Sequence, residues 1–405
     1  MKVPLLDLTP QYEQIAAETR AAIERVCASQ QFILGAQVRE LELGIARYSQ
    51  CQYGIGVSSG TDALLLALMA LGVGPGDAVI TSAFTFFATA GTIARLGARP
   101  LFCDIERDTF NLSPVKVEEL LSRECEVRGE GDGRQVIHRK SGARIKALMP
   151  VHLYGQVCAM DALMGLASRF GLYVIEDAAQ AIGATDEKSR QAGSIGQIGC
   201  FSFFPTKNLG AFGDAGLCTT NDAALAERMR ILRVHGMEPK YHHHFIGGNF
   251  RLDEIQAAVL NVKLKFLDEW MEARDAHAQQ YTARLKEKLP RGGVVTPLKS
   301  ERGRHVWNQY VIRAQRRDEL RQYLSAAGIG TEIYYPIPLH QQKCFAYLGH
   351  AAGDLPESEA AAREVLALPV FPELSAAQID YVAATIERFY APAAARAAAK
   401  AQQTT

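Results

Sequence analysis

The chain lacks a net charge: its 405 residues carry 44 Lys+Arg against 44 Asp+Glu. A protein that binds nucleic acid through bulk charge shows a basic excess, so no nucleic-acid partner is expected. Long apolar runs are missing as well. The stretch Ala63 to Leu71 is far too short to span a bilayer, and Met1 to Asp7 contains no long apolar signal core. No membrane partner is expected. The eight cysteines (Cys27, Cys51, Cys103, Cys125, Cys158, Cys200, Cys218 and Cys344) form no C-x-x-C pair. In a chain this long they read as reduced, mostly buried thiols of a cytoplasmic protein, and no spacing supports structural zinc. Extensive disorder is excluded by 48% hydrophobic and 22% charged residues.

What is present is an alternation. Cys51 to Val57, Ala78 to Thr81, Arg99 to Asp104, Ile145 to Val151 and Leu172 to Ile175 are short, nearly all-apolar runs. Strands buried on both faces have this composition. Helical patterns over Ile15 to Val26, Ala63 to Leu71 and Phe87 to Leu96 accompany them. The expected class is therefore α/β with a mostly parallel central sheet. The stretch from about 122 to 144 is polar, and its Glu130-Gly131-Asp132-Gly133 signals a turn. It reads as an inserted surface hairpin or loop.

From about Lys263 the pattern changes. Phe266 to Leu285 predicts a long helix, Val306 to Arg313 a strand, Asp318 to Ala327 a helix, Gly330 to Tyr335 a strand and Ser375 to Tyr390 a helix. The expected organisation is a large domain over 1–265 with an N-terminal arm, a smaller α+β domain over 266–390, and a frayed Ala-rich tail over 391–405.

Three segments are suited to chemistry. In Phe201-Ser202-Phe203-Phe204-Pro205-Thr206-Lys207-Asn208-Leu209-Gly210, Lys207 sits among apolar and aromatic residues. Desolvation there lowers a lysine pKa and leaves an amine able to form a Schiff base. The alternative is a lysine snorkelling out of a strand end. In Val174-Ile175-Glu176-Asp177-Ala178-Ala179-Gln180, Asp177 falls at the carboxyl end of a buried strand. It is either the partner of a cationic group such as a pyridinium nitrogen, or a helix N-cap. Ser58-Ser59-Gly60-Thr61-Asp62, between a strand and a helix, suits a phosphate, although it matches neither the P-loop nor G-x-G-x-x-G.

Two further segments support these. Phe84-Thr85-Phe86-Phe87 offers rings to a planar cofactor or to the core. Gly247-Gly248-Asn249-Phe250-Arg251 is an anion site or a solvated turn. His242-His243-His244 invites a metal reading, but adjacent side chains cannot all face one ion in regular structure, so no metal is expected.

In this order the segments have the layout of a fold type I pyridoxal-phosphate enzyme. The chain resembles the DegT family of nucleotide-sugar aminotransferases. The likeness runs from Leu5-Leu6-Asp7-Leu8 to about Phe389 and includes Gly56 to Leu64, His152-Leu153-Tyr154-Gly155-Gln156, Glu176 to Gln180, Ser202 to Gly210 and Asn249 to Asp253. The resemblance implies a large domain that binds pyridoxal 5'-phosphate, which is pyridoxamine 5'-phosphate in the second half-reaction. It implies that Lys207 anchors the cofactor and moves protons, and that Asp177 holds the pyridine nitrogen protonated. Gln180 would lie beside the ring, Phe86 would stack on it, and Gly60, Thr61 and Ser202 would hold the phosphate. Asn249 would reach that phosphate from the second subunit of a homodimer. Arg251 and Tyr334 would touch substrate, also across the interface.

The implied partners are L-glutamate, leaving as 2-oxoglutarate, and a nucleotide-linked keto sugar aminated at C3. The alternatives are amination at C4, a sugar dehydratase using the same cofactor, and a non-catalytic regulatory relative. Dehydratase relatives carry His in place of the lysine, and Lys207 argues against that reaction.

Overall fold

The apolar runs become strands of one nine-stranded sheet. The structure is a computed structural model, and it describes residues 1–129, 134–289, 292–299 and 303–391. Its strands are β1 (Tyr53–Val57), β2 (Asp77–Ser82), β3 (Arg99–Cys103), β4 (Cys125–Arg128), β5 (Gln135–His138), β6 (Arg144–Met149), β7 (Tyr173–Asp177), β8 (Ile198–Ser202) and β9 (Gly216–Thr220). The order is β1-β9-β8-β7-β6-β2-β3, with β4 and β5 attached at β6. Strands β3, β2, β6, β7 and β8 run parallel, while β9 is antiparallel to both β8 and β1. All parallel carboxyl ends therefore open on one edge of the sheet, where ligands of such sheets gather.

Both faces are covered, which is why β2 and β9 are buried at every residue. On one face the helix Gly60–Ala70 packs Leu64 and Leu68 onto Ile55, Val79 and Ile175. On the other, helices Pro114–Arg123 and Met160–Phe170 bring Leu120 and Leu163 against Ile80 and Val174. Helix Ala36–Tyr48, absent from the sequence expectation, adds Val38, Leu41 and Ile45. Each such side chain contributes about 1.5–3 kcal/mol relative to an exposed one.

A second sheet holds β10 (Val294–Val295), β11 (Tyr310–Ala314) and β12 (Val365–Leu368). Helices Leu267–Lys288, Arg317–Ala326 and Ala376–Tyr390 cover it through Tyr281, Leu320 and Ile379. Ser375 starts the last helix with a capping box closed by Gln378. Val3 joins this second core and pairs with Ile329.

The 122–144 segment forms the hairpin β4–β5 between a helix and β6. Its turn, Glu130 to Gly133, lies outside the described residues, as does the tail beyond Ala391. Two expected strands differ. Val306 to Gln309 is not in β11, because its backbone is bonded elsewhere: Val306 N–H donates to the Gly155 carbonyl at 3.0 Å and Asn308 N–H to that of Tyr154 at 2.9 Å. Gly330 to Tyr335 makes one bridge, Glu332 with Ala367, and forms no ladder. The Tyr334 carbonyl accepts the Tyr154 hydroxyl instead, and the chain turns into the cleft.

Candidate active site

Glu176 and Asp177 end β7 pointing to opposite sides, as adjacent strand residues must. Glu176 is fully buried and structural. It accepts the N–H groups of Gly193 (2.9 Å), Ile195 (2.7 Å) and Gly196 (2.6 Å) and lies 2.9 Å from His152 Nε2. Because His152 Nδ1 accepts the Cys158 N–H at 3.1 Å, the imidazole is the neutral Nε2–H tautomer.

Asp177 faces the open edge, 4% exposed. Thr89 donates to its Oδ2 at 2.8 Å and the Ala179 N–H to its Oδ1 at 3.2 Å. Burial pushes its carboxyl up, while those two bonds and the charge of Lys207 pull it back. Asp177 does not cap a helix; the chain enters turns after it.

Lys207 follows β8. Its amine has no hydrogen bond or ion pair among the described residues, and it keeps some contact with the cleft. Desolvation lowers it to about 8, against the attraction of Asp177. An uncommitted amine with that affinity for protons is a usable nucleophile near neutral pH.

The start of helix Gly60–Ala70 faces the end of β8. Ser59 caps the Asp62 N–H at 3.1 Å, and Asp62 in turn accepts the Ser58 hydroxyl at 2.6 Å. The Gly60 and Thr61 N–H groups, with no acceptor behind them in the helix, remain for an anion. A Cβ on Gly60 would sit 2.5 Å from Ser202 Cβ, so only glycine lets the helix start approach the Ser202 hydroxyl this closely.

Phe86 stands 57% exposed at the cleft, its ring centroid 6.1 Å from that of Tyr335. The Tyr335 hydroxyl accepts from Gln180 Nε2 at 3.2 Å, and Gln180 Oε1 accepts the Tyr154 N–H at 2.7 Å. Gln180 is thus oriented from both ends.

The structure brings Lys207, Asp177, Gln180, Ser202, Gly60, Thr61 and Phe86 to one edge. A free amine, a buried carboxylate, an anion-ready helix start and an open aromatic face fit a phosphorylated pyridine aldehyde. Asn249 and Arg251 belong to a separate segment that reaches Ser58, two residues before Gly60. Their segment runs beside β1, with Val57 bridged to Arg251 and the Ser58 N–H bonded to the Phe250 carbonyl at 3.0 Å. Asn249 is exposed, and Arg251 Nε is buried without a partner. In the loop before them, Ile246 is 94% exposed and Tyr241, at its tip, is 76% exposed. Tyr334 packs in the wall of this chain's own cleft with Phe84, Phe110 and Tyr154, and its neighbour Tyr335 touches Gln180.

Thr89 and Tyr335 were not anticipated. Thr89 lies in the first turn of the helix that starts just after Phe86, at the open edge of the sheet. Tyr335 comes from 155 positions beyond Gln180, and no local signal marks it. In the histidine run, His243 and His244 turn to the carbonyls of His235 and Glu238. Among the described residues no group of three or more His, Cys, Asp or Glu could hold a metal, and no helix is long and apolar enough to cross a membrane.

Comparison with known proteins agrees with this geometry. Residues 13–387 match the DegT/DnrJ/EryC1/StrS aminotransferase family. The chain is 51% identical to the "Pleiotropic regulatory protein" of Geobacillus stearothermophilus, over 96% of this chain and 99% of that one. It is 42% identical to the dTDP-3-amino-3,4,6-trideoxy-alpha-D-glucose transaminase of Streptomyces venezuelae, over 96% and 97%. It superposes on the crystal structure of S. venezuelae DesV in complex with a ketimine intermediate with a TM-score of 0.87, at 41% identity, over 96% and 98%. The chain belongs to the DegT/DnrJ/EryC1/StrS family of pyridoxal-phosphate-dependent aminotransferases.

Proposed function

We propose that this aminotransferase moves an amino group from L-glutamate to the C3 keto group of a nucleotide-linked sugar. The observation that carries the reading is the uncommitted Lys207 amine, lowered to about 8 and held beside the buried carboxylate of Asp177. The bound cofactor supplies an electrophilic carbonyl and an electron sink.

The protein's part follows from its residues. Lys207 anchors the cofactor as its neutral amine, then takes the proton from the donor Cα and returns it in the amination half. Asp177, whose charged form the Thr89 hydroxyl and the Ala179 N–H favour, would accept a hydrogen bond from the protonated ring nitrogen. Gly60, Thr61 and Ser202 hold the phosphate, Phe86 covers the ring, and Gln180 is fixed beside it by Tyr335 and Tyr154. Asn249 completes the phosphate site of a second copy in a homodimer, and Arg251 contacts substrate there. The exposed Tyr241 and Ile246 of the loop that precedes them suit such an interface. The large domain over 1–265 carries the cofactor and the region 266–390 closes the cleft, all within a cytoplasmic enzyme. Overall, the amino group and two electrons pass from glutamate, which leaves as 2-oxoglutarate, to the sugar carbon.

The C3 assignment draws on the 3-amino sugar named for the S. venezuelae relative. The test follows the visible absorbance of the cofactor-loaded protein. L-glutamate should bleach the band, and a 3-keto nucleotide sugar should restore it with formation of a 3-amino sugar. Restoration by a 4-keto sugar alone would move the assignment to C4. No change with glutamate would remove the donor.

A further inference from the structure

Lys263 lies on helix Glu254–Leu264 and is 4% exposed. Its Nζ donates to the Gly210 carbonyl at 2.7 Å. No carboxylate pairs with it among the described residues, and burial alone lowers it to about 8. A buried cation without a counter-charge is costly, and an apolar replacement is often neutral or stabilising. Its presence therefore asks for a task beyond packing.

Gly210 comes three residues after Lys207. The same helix also holds Gln256, whose Oε1 accepts the Phe212 N–H at 2.8 Å, and Lys263 Nζ lies 5.1 Å from the Phe212 ring centroid. Between these anchors the chain is a closed, tight turn. Lys207 N–H donates to the Phe204 carbonyl and Ala211 N–H to that of Phe203, each at 2.8 Å. A Cβ on Gly210 would lie 2.3 Å from the Pro205 carbonyl oxygen. A shift at Gly210 is therefore passed to Lys207 and not absorbed.

We propose that Lys263 is a positioning residue for Lys207, acting through the Gly210 carbonyl to hold the Lys207 amine at its depth in the cleft. The proposal rests on the reading of Lys207 as the reactive amine. Gln256 is the second anchor of the same turn. When the turn loosens, the amine swings toward water, regains its proton and loses reactivity at neutral pH.

The test uses full-length protein, stripped of cofactor with hydroxylamine and, in parallel, loaded with pyridoxal phosphate. In stripped protein, Lys207 is labelled with trinitrobenzenesulfonate across neutral to alkaline pH and read by peptide mass spectrometry. The wild-type midpoint should fall near 8. Lys263→Met should raise it by about one unit, a roughly tenfold slower labelling at neutral pH. Formation of the borohydride-reducible adduct in loaded protein should slow by a similar factor. Lys263→Arg, which keeps a donor, should restore the midpoint, and Gln256→Leu should move it in the same direction as Lys263→Met. An unchanged Lys207 midpoint in a Lys263→Met protein with wild-type circular dichroism overturns the proposal. If that variant does not fold, Gln256→Leu decides by the same criterion. A wild-type midpoint near about 10.4, the ordinary lysine value, overturns instead the assignment of Lys207 itself, and this proposal with it.

Discussion

The hydroxyl of Thr89 donates to Asp177 Oδ2 at 2.8 Å, joining the helix after β2 to the end of β7. Thr85 lies 3.1 Å from Thr89 on the same helix approach, so the hydroxyl is itself fixed. Burial favours the neutral carboxyl of Asp177, and the Thr89 bond favours the charged one.

Thr89→Val should therefore raise the Asp177 carboxyl further. A hydrogen bond to a charged group contributes about 1.5–3 kcal/mol. Turnover should fall about tenfold at neutral pH and more steeply in acid, because a raised carboxyl loses its charge at higher pH. A pH–rate profile of the variant checks this. An acid limb in the same place as the wild type would show that Thr89 does not tune Asp177.

Asp177→Asn keeps the shape and removes the charge. Turnover should drop by about a hundredfold or more, on the scale of a lost electrostatic contact in a site, while bound cofactor remains. Steady-state kinetics with cofactor absorbance separates the two. Equal loss of both would make Asp177 an anchor only.

Lys207→Ala should leave no borohydride-reducible adduct on any lysine of the site peptide. Mass spectrometry after reduction reads this directly. An adduct that persists elsewhere moves the reactive amine to another residue.

Mixing inactive Lys207→Ala with inactive Asn249→Asp should restore activity. In a shared-site dimer each hybrid keeps one intact site, so random mixing returns about a quarter of wild-type turnover. Activity that stays at zero, with hybrids formed, would confine each site to one chain.

Glu176→Ala should behave differently from all of these. It strands three N–H groups and His152 in the core. A buried donor left without its partner costs about 1–3 kcal/mol. Thermal melting should show a clear drop in Tm, and a melting point equal to the wild type would count against the structural role.

The central sheet was legible because strands buried on both faces leave nearly all-apolar runs, as at Ala78 to Thr81 and Leu172 to Ile175, which fall in β2 and β7. Lys207, Asp177 and Gly60 were legible because each sits at a strand end or helix start with a local chemical signature. Residues that act by reaching across the fold were not. Thr89 is 88 positions from Asp177 and Tyr335 is 155 from Gln180. The strand expected over Val306 to Arg313 starts only at Tyr310 for the same reason: the apolar pattern is real, but the first hydrogen bonds go to Tyr154 and Gly155. Periodicity reports burial, and hydrogen-bond partners are chosen in three dimensions.

The turn that carries Lys207 is tied down by residues from late in the chain. Asn208 Nδ2 donates to the Val306 carbonyl at 2.7 Å, and Gln256 and Lys263 hold Phe212 and Gly210. While the chain is being synthesised, Lys207 emerges about a hundred residues before Val306 and is an ordinary solvated lysine, almost wholly protonated. Burial in the finished cleft is what lowers it to about 8, so the amine becomes a usable nucleophile near neutral pH as the fold closes around its turn.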